Sequence, residues 1–354
     1  MAPHITIGKR KVGNGYPVYI IAEMSANHQN DLETAKKIVY AAKEAGADAV
    51  KLQTFTADIH TLNLKSRYFQ VGGGTLWDGA TLHDLYKKCE MPWDWQPKLK
   101  DLADDIGIDL FSAAVDETSV KFLEDMGVPA HKISSFEIVD TNLIRVMAKT
   151  KKPLIISTGM ANLCEISDAV EAARSGGCEQ VALMKCTSAY PAPISDMNLA
   201  TIPHMAECFD VPVGISDHTM GITVPIGAVA MGATLIEKHF TLSRKNVGPD
   251  SSFSIEPHEL SELVRSVRDT ESARGRVRYE ITEKEKASRI FRRSLFVVKQ
   301  VHKGELFTPE NIRSIRPGHG LKPKYLDFVL GEKAACDIEA GTPLTFELLM
   351  PKNE

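Results

Sequence analysis

A chain of 354 residues, 43% hydrophobic and 25% charged, can bury a large core and exceeds the length of most single domains, so a main domain plus an appendage is expected. A net charge of −4 without runs of like charge gives no electrostatic case for nucleic acid or an anionic membrane, although a small phosphorylated substrate needs only a local cluster. The amino terminus has no apolar stretch of signal-peptide length, nothing approaches the roughly 20 apolar residues of a membrane span, and six scattered cysteines without a CxxC pair suggest reduced, mostly structural thiols, so a soluble, cytoplasmic protein is expected.

From residue 18 the chain alternates β-branched apolar runs with amphipathic stretches, eight times over. The predicted strands are Val18–Glu23, Ala49–Gln53, Asp109–Ser112, Ala130–Ser134, Leu154–Ser157, Val181–Cys186, Pro212–Ser216 and Thr234–Glu237. Most are near-continuous apolar runs, as in strands covered on both faces. Between them lie predicted helices such as Leu32–Ala45, with one stripe of Leu32, Ala35, Ile38, Val39 and Ala42 before Gly46; an eighth, Pro257–Ser272, follows the last strand. The pattern fits an α/β fold, a (β/α)8 TIM barrel, with a doubly wound open sheet as the alternative.

The carboxyl ends of these strands are unusually polar. They present Glu23, Ser25, Asn27 and His28; Lys51 and Gln53; Ser112; Lys132, Ser134, Ser135 and Glu137; Ser157 and Thr158; and Lys185, Thr187, Ser188 and Tyr190. Each unpartnered buried polar group costs about 1 to 3 kcal/mol, so packing alone would not collect so many. Lys51 and Lys132 suit a phosphate or carboxylate as point charges, or one of them a Schiff base. The connection Thr56–Pro92, with its Gly72–Gly79 run, is long enough to overhang a barrel mouth as a lid or specificity loop, or to be a plain surface excursion. Ser216 precedes His218 at the end of the seventh strand, and His239 follows the eighth. Two histidines in equivalent positions suit a divalent transition ion with free sites for substrate oxygens, whereas either alone would more often cap a strand.

A charged stretch at 274–293 reads as a linker or exposed helix between a first domain at 1–273 and a tail at 294–354. The tail contains an approximate repeat, Val301–Thr308 and Ile338–Thr345, expected to form a small β-rich module that must dock on something.

The segments IIAEMSANH, AGADAVKLQT, HKISSFE, STGMA, KCTSAYP, GISDHT, EKHFTL and GPD, in this order, resemble the sialic acid synthase family over nearly the whole chain, and the tail resembles its antifreeze-like SAF module. SANH in place of GxNH, the GGTLWDG insertion and CTSAYP most resemble the pseudaminic acid synthases. The resemblance implies a metal-dependent transferase. It would join phosphoenolpyruvate to a 2,4-diacetamido-2,4,6-trideoxy-hexose of the L-altrose type, giving a nine-carbon 2-keto acid and phosphate; N-acetylneuraminate or legionaminate synthesis is the alternative. Ser188 and Val247 stand where the neuraminate branch has asparagine and glutamate, which speaks against N-acetylmannosamine as acceptor. By the same resemblance, His218 and His239 match metal ligands, most simply for Mn2+, with Mg2+ or Co2+ as other candidates. Lys51, Lys132, Ser134, Ser157, Ser188 and Ser216 match positions that hold phosphoenolpyruvate. Glu23, Gln53, Glu137, Tyr190 and Asp250 match residues around the water and the sugar, with Glu23, Lys51 and Glu137 in catalytic roles. Arg316, in RPGHG, matches an SAF arginine that completes the other subunit's sugar site in a homodimer.

Overall fold

The apolar runs become strands because both of their faces are covered. After a hairpin of β1 (His4–Ile7) and β2 (Arg10–Gly13), eight strands follow: β3 (Tyr19–Glu23), β4 (Ala49–Thr54), β5 (Asp109–Ala114), β6 (His131–Ile133), β7 (Leu154–Ser157), β8 (Val181–Cys186), β9 (Val213–Asp217) and β10 (Leu235–His239). Every neighbouring pair is parallel and β10 returns to β3, so the sheet closes into a barrel in chain order, and the open-sheet alternative is excluded. The computed structural model describes residues 3–74, 77–246 and 248–351 and divides into two units, Met1–Gly275 and Arg276–Glu354. Among the described residues no helix is long and apolar enough to cross a membrane.

Helix Leu32–Glu44 illustrates how the outer layer is set. The Asp31 carboxylate accepts the Thr34 backbone N–H at 2.9 Å, and Ala35, Ile38, Val39 and Ala42 are buried on one face. Between β9 and β10 runs a helix of mostly small and apolar residues, Thr223–Ala230, and the eighth helix spans Pro257–Arg274. The amino-terminal hairpin was not foreseen, since its apolar alternation covers only a few residues. Here Arg10 reaches Asp48, whose other carboxylate oxygen accepts the Ile20 N–H at 2.8 Å.

Strand β10 runs two residues beyond its expected end, because His239 stays paired with Glu23 across the β3 ladder. This extension matters for the site, since side chains alternate between the two faces of a strand. Ser216 of β9 lies opposite Glu237 of β10, and Asp217 opposite Lys238. Ser216, Glu237 and His239 therefore share the inner face. Asp217 and Lys238 face the helices, where the Lys238 ammonium meets the Asp217 carboxylate at 2.6 Å in full burial and also donates to the Thr219 carbonyl. The two strands approach closely at Gly214, where a Cβ would lie 2.4 Å from the Leu235 carbonyl oxygen.

In the second unit, β11 (Ser294–Val297) and β12 (Ile312–Ile315) pair antiparallel over a small core that includes Leu295, Val297, Val301, Phe307 and Leu344. The two halves of the sequence repeat meet through Val301 and Ile338, whose N–H and carbonyl groups exchange hydrogen bonds of 3.0 and 2.8 Å. The expected charged connection contains a helix, Glu283–Ser288.

Breaking a buried ion pair by removing one partner typically costs about 3 to 5 kcal/mol. Lys238→Met is therefore expected to lower the unfolding free energy by about 3 kcal/mol in urea denaturation, and an unchanged midpoint would show that the Asp217 pair contributes nothing to the closure of β9 on β10.

Candidate active site

Strand ends β3 to β10 converge on a cavity of about 510 Å3 at the carboxyl-terminal face of the barrel. Glu23, Lys51, Gln53, Lys132, Ser134, Glu137, Ser157, Tyr190, Ser216, His218, His239 and Asp250 all line it. Ser188 instead lines an adjoining cavity of about 390 Å3 with Thr158 and Lys185, which shares Cys186 with the first. A Cβ at Gly159 would lie 2.2 Å from the Ser188 hydroxyl and 2.6 Å from that of Ser135, so a glycine is required there. Arg316 belongs to the second unit, and Val247 lies outside the described residues, as do Thr75 and Leu76 of the glycine-rich insertion.

The floor of the cavity is a compact charge cluster. Lys51 on β4 lies 2.8 Å from a Glu23 oxygen and 3.5 Å from Glu237, while Lys132 on β6 lies 3.9 Å from the other Glu237 oxygen. Lys132 donates to Ser157 at 2.6 Å, and Ser216 donates to Glu237 at 3.2 Å. All four charged groups are buried. Burial pushes the Glu23 carboxyl up to about 7 against the pull of Lys51, with Glu237 adding to the rise. Burial acts on Glu237 in the same sense, but Lys132 and Lys51 outweigh it and hold that carboxyl below its usual range. Burial lowers Lys132. Glu137 and Asp250 are raised, each chiefly by burial.

Beside this cluster stand the two histidines, ring centroids 5.3 Å apart. The His218 Nδ1 lies 3.0 Å from the Thr187 carbonyl oxygen; with the proton there, Nε2 is left to accept or ligate. His239 Nδ1 is buried without a hydrogen bond, 3.9 Å from the Asp250 carboxylate. Burial, then His218 and Lys51, hold the His239 imidazole neutral, the form that ligates a cation. Among the described residues no three or more His, Cys, Asp or Glu side chains gather into a metal cluster. The donor set is therefore an imidazole pair that would leave most positions of a divalent ion to oxygen ligands, and the orphaned His239 nitrogen fits that use.

The long connection walls one side of the cavity. A bridge between Gln70 and Thr81 closes its glycine-rich loop, and Val71, Trp77, Leu82, Leu85 and Tyr86 line the cavity. The Trp77 ring lies 5.7 Å from that of Tyr190, which is 4.3 Å from His218. Sequence reasoning missed two residues of the site, Glu237 and Cys186, and gave a third, Ser25, no role beyond its place at a polar strand end. Glu237 could have been found by counting two residues back from His239 along one strand face. Cys186 is the inward residue that ends β8, 3.9 Å from His218 Nδ1; burial would raise its thiol, but hydrogen bonding to His218 and Ser135 and the charge of Lys132 bring it down to about 7. Ser25 bridges Gln53 and Asp250.

The NeuB family model matches residues 38–279, and the SAF domain model matches residues 292–350. The chain belongs to the NeuB family. Members of the NeuB family are transferases that condense phosphoenolpyruvate with a sugar, and this chain is an enzyme of that kind, a nonulosonate synthase. It is 44% identical over 327 residues to the pseudaminic acid synthase of Campylobacter jejuni strain 81-176, covering 92% of this chain and 95% of the relative. Identity to the N,N'-diacetyllegionaminic acid synthase of Legionella pneumophila is 38% over 346 residues, 96% of this chain and 97% of that one. The crystal structure of a spore coat polysaccharide biosynthesis protein of Bacillus subtilis superposes with a TM-score of 0.67 at 34% identity, over 99% of this chain and 100% of that one.

Proposed function

We propose that the protein condenses phosphoenolpyruvate with a 2,4-diacetamido-2,4,6-trideoxy-hexose of the L-altrose type, the reaction of a pseudaminic acid synthase. The observation that carries this reading is the placement of two buried ammonium groups, Lys51 and Lys132, beside an imidazole pair in one cavity. The choice of sugar is supported by 44% identity to a pseudaminic acid synthase against 38% to a legionaminic acid synthase. The apolar wall of Val71, Trp77, Leu82 and Leu85 suits the methyl groups of a deoxy, acetamido sugar.

In this reading Lys51 and Lys132, with the hydroxyls of Ser134, Ser157 and Ser216, hold the phosphate and carboxylate of phosphoenolpyruvate as point charges and donors. Ser188 lines the adjoining cavity with its hydroxyl 3.8 Å from the Cys186 sulfur, so its role here is to support Cys186, which lines both cavities. His218 and His239 would hold a divalent cation, most simply Mn2+, which when bound supplies Lewis acidity to the acceptor's carbonyl oxygen. Carbon C3 of phosphoenolpyruvate forms a bond to the aldehyde carbon of the open-chain sugar, leaving C2 electron-poor. Water adds at C2 and loses a proton, and breaking the C2–O bond releases phosphate. Glu23, poised near neutrality by its burial, is suited to take that proton, and Glu137 to return one to the new hydroxyl. Gln53, Tyr190 and Asp250 line the acceptor side. The proposal includes a homodimer in which Arg316 of one copy completes the acceptor site of the other.

Phosphate release measured with a panel of aminosugars tests the choice of acceptor. The L-altro diacetamido sugar is expected to exceed N-acetylmannosamine by roughly tenfold or more in kcat/KM, EDTA should stop turnover, and Mn2+ should restore it. Preference for the legionaminate or neuraminate precursor would replace the sugar, and metal-independent turnover would remove the role of the histidine pair. For the dimer, mixed His239→Ala and Arg316→Ala chains should regain activity that neither has alone, because a heterodimer would hold one intact site; verified subunit exchange without recovery would place the tail's action within one chain.

A further inference from the structure

Ser25 carries a conformation that its side chain disfavours. Its backbone sits at φ 45°, in the left-handed region where a Cβ is crowded and glycine is preferred. The residue is buried and lines the active cavity, and its hydroxyl makes two contacts there. It donates to the Asp250 carboxylate and lies 3.0 Å from the Gln53 side-chain nitrogen, which is in turn 2.9 Å from a Glu23 oxygen. Strain of this kind persists where the surroundings hold it, and it concentrates at functional sites.

The directions of these bonds follow from the groups themselves. The Gln53 amide nitrogen can only donate, so the Ser25 oxygen accepts an N–H from it, and the Ser25 O–H is spent on Asp250. Both amide hydrogens of Gln53 are then committed, one to Glu23 and one to Ser25. Its carbonyl oxygen is left as an acceptor with no hydrogen-bond partner among the described residues, on a side chain that lines the cavity. Replacing the hydroxyl by hydrogen would free the amide to rotate and present a donor instead.

We propose that Ser25 is a specificity-determining positioning residue of the acceptor site, locking Gln53 so that its carbonyl receives an N–H or O–H of the sugar. This rests on the proposed condensation with an acetamido sugar. It assigns to one strained serine the orientation of the Gln53 amide and of the two carboxylates it links, Asp250 and, through Gln53, the Glu23 that pairs with Lys51.

The test compares full-length Ser25→Ala and Ser25→Gly with the wild type, using Mn2+, phosphoenolpyruvate and whichever sugar of the panel the wild type turns over. Both variants are expected to raise KM for the sugar roughly tenfold, the scale of one well-placed hydrogen bond, while KM for phosphoenolpyruvate stays within about twofold. Ser25→Gly is expected to keep or raise the wild-type Tm, since glycine accepts the left-handed backbone freely. Unchanged sugar KM in both variants, or equal rises for both substrates, overturns the role of Ser25 while leaving the function intact. A drop in Tm with kinetics unaltered assigns the serine to structure alone. A wild type that releases no phosphate with any sugar defeats the functional reading and this inference with it.

Discussion

Two lysine ammonium groups buried at one end of a barrel impose the constraint on which the rest of the site depends. Removing a charge from water costs several kcal/mol unless it is paired and hydrogen-bonded, and no solvent reaches Lys51 or Lys132 in quantity. The barrel answers by placing their counter-charges on other strands, Glu23 on β3 and Glu237 on β10. Closure of β10 onto β3 is what brings those carboxylates side by side, so fold topology and charge balance are one arrangement. The two acids are not equivalent. Glu237 faces both ammonium groups and stays ionised, whereas burial holds Glu23 near neutrality. An anion that takes Lys51 from Glu23 would leave a carboxyl that one proton can neutralise, which limits the cost of the exchange.

Alternation along two short strands divides structural and chemical duties between adjacent residues. On β9 and β10, Ser216, Glu237 and His239 point into the cavity, and Asp217 and Lys238 form an ion pair beneath the helices. A slip of one residue would exchange these sets, exposing the ion pair to the cavity and burying an imidazole against the helix layer. The buried pair therefore supports the site through register, without touching it.

Much of this was legible in the sequence because parallel strands covered on both faces read as apolar runs, and polar residues at their ends stand out against them. Twelve of the expected site residues line one cavity, eleven of them at such strand ends and Asp250 known only from the family resemblance. Glu237 escaped because the last strand was ended at that residue, hiding that it shares a face with His239. Ser25 was visible as one of many polar residues, yet its significance lies in a bond to Asp250, 225 residues away, and in a left-handed backbone that no local pattern announces. Ser188 stands among the polar residues after β8, yet it lines the adjoining cavity, which meets the main one at Cys186. The hairpin β1–β2 was too short for periodicity to declare.

The most direct test of the account is the pair of variants Lys51→Met and Lys132→Met, which keep the aliphatic volume and remove one charge each. If the ammonium pair is the anion clamp, KM for phosphoenolpyruvate should rise by roughly a hundredfold, the worth of a charge-assisted contact of about 3 kcal/mol, with KM for the sugar nearly unchanged. Equal rises for both substrates, with the fold intact by circular dichroism, would contradict the assignment and leave the buried charges as scaffold.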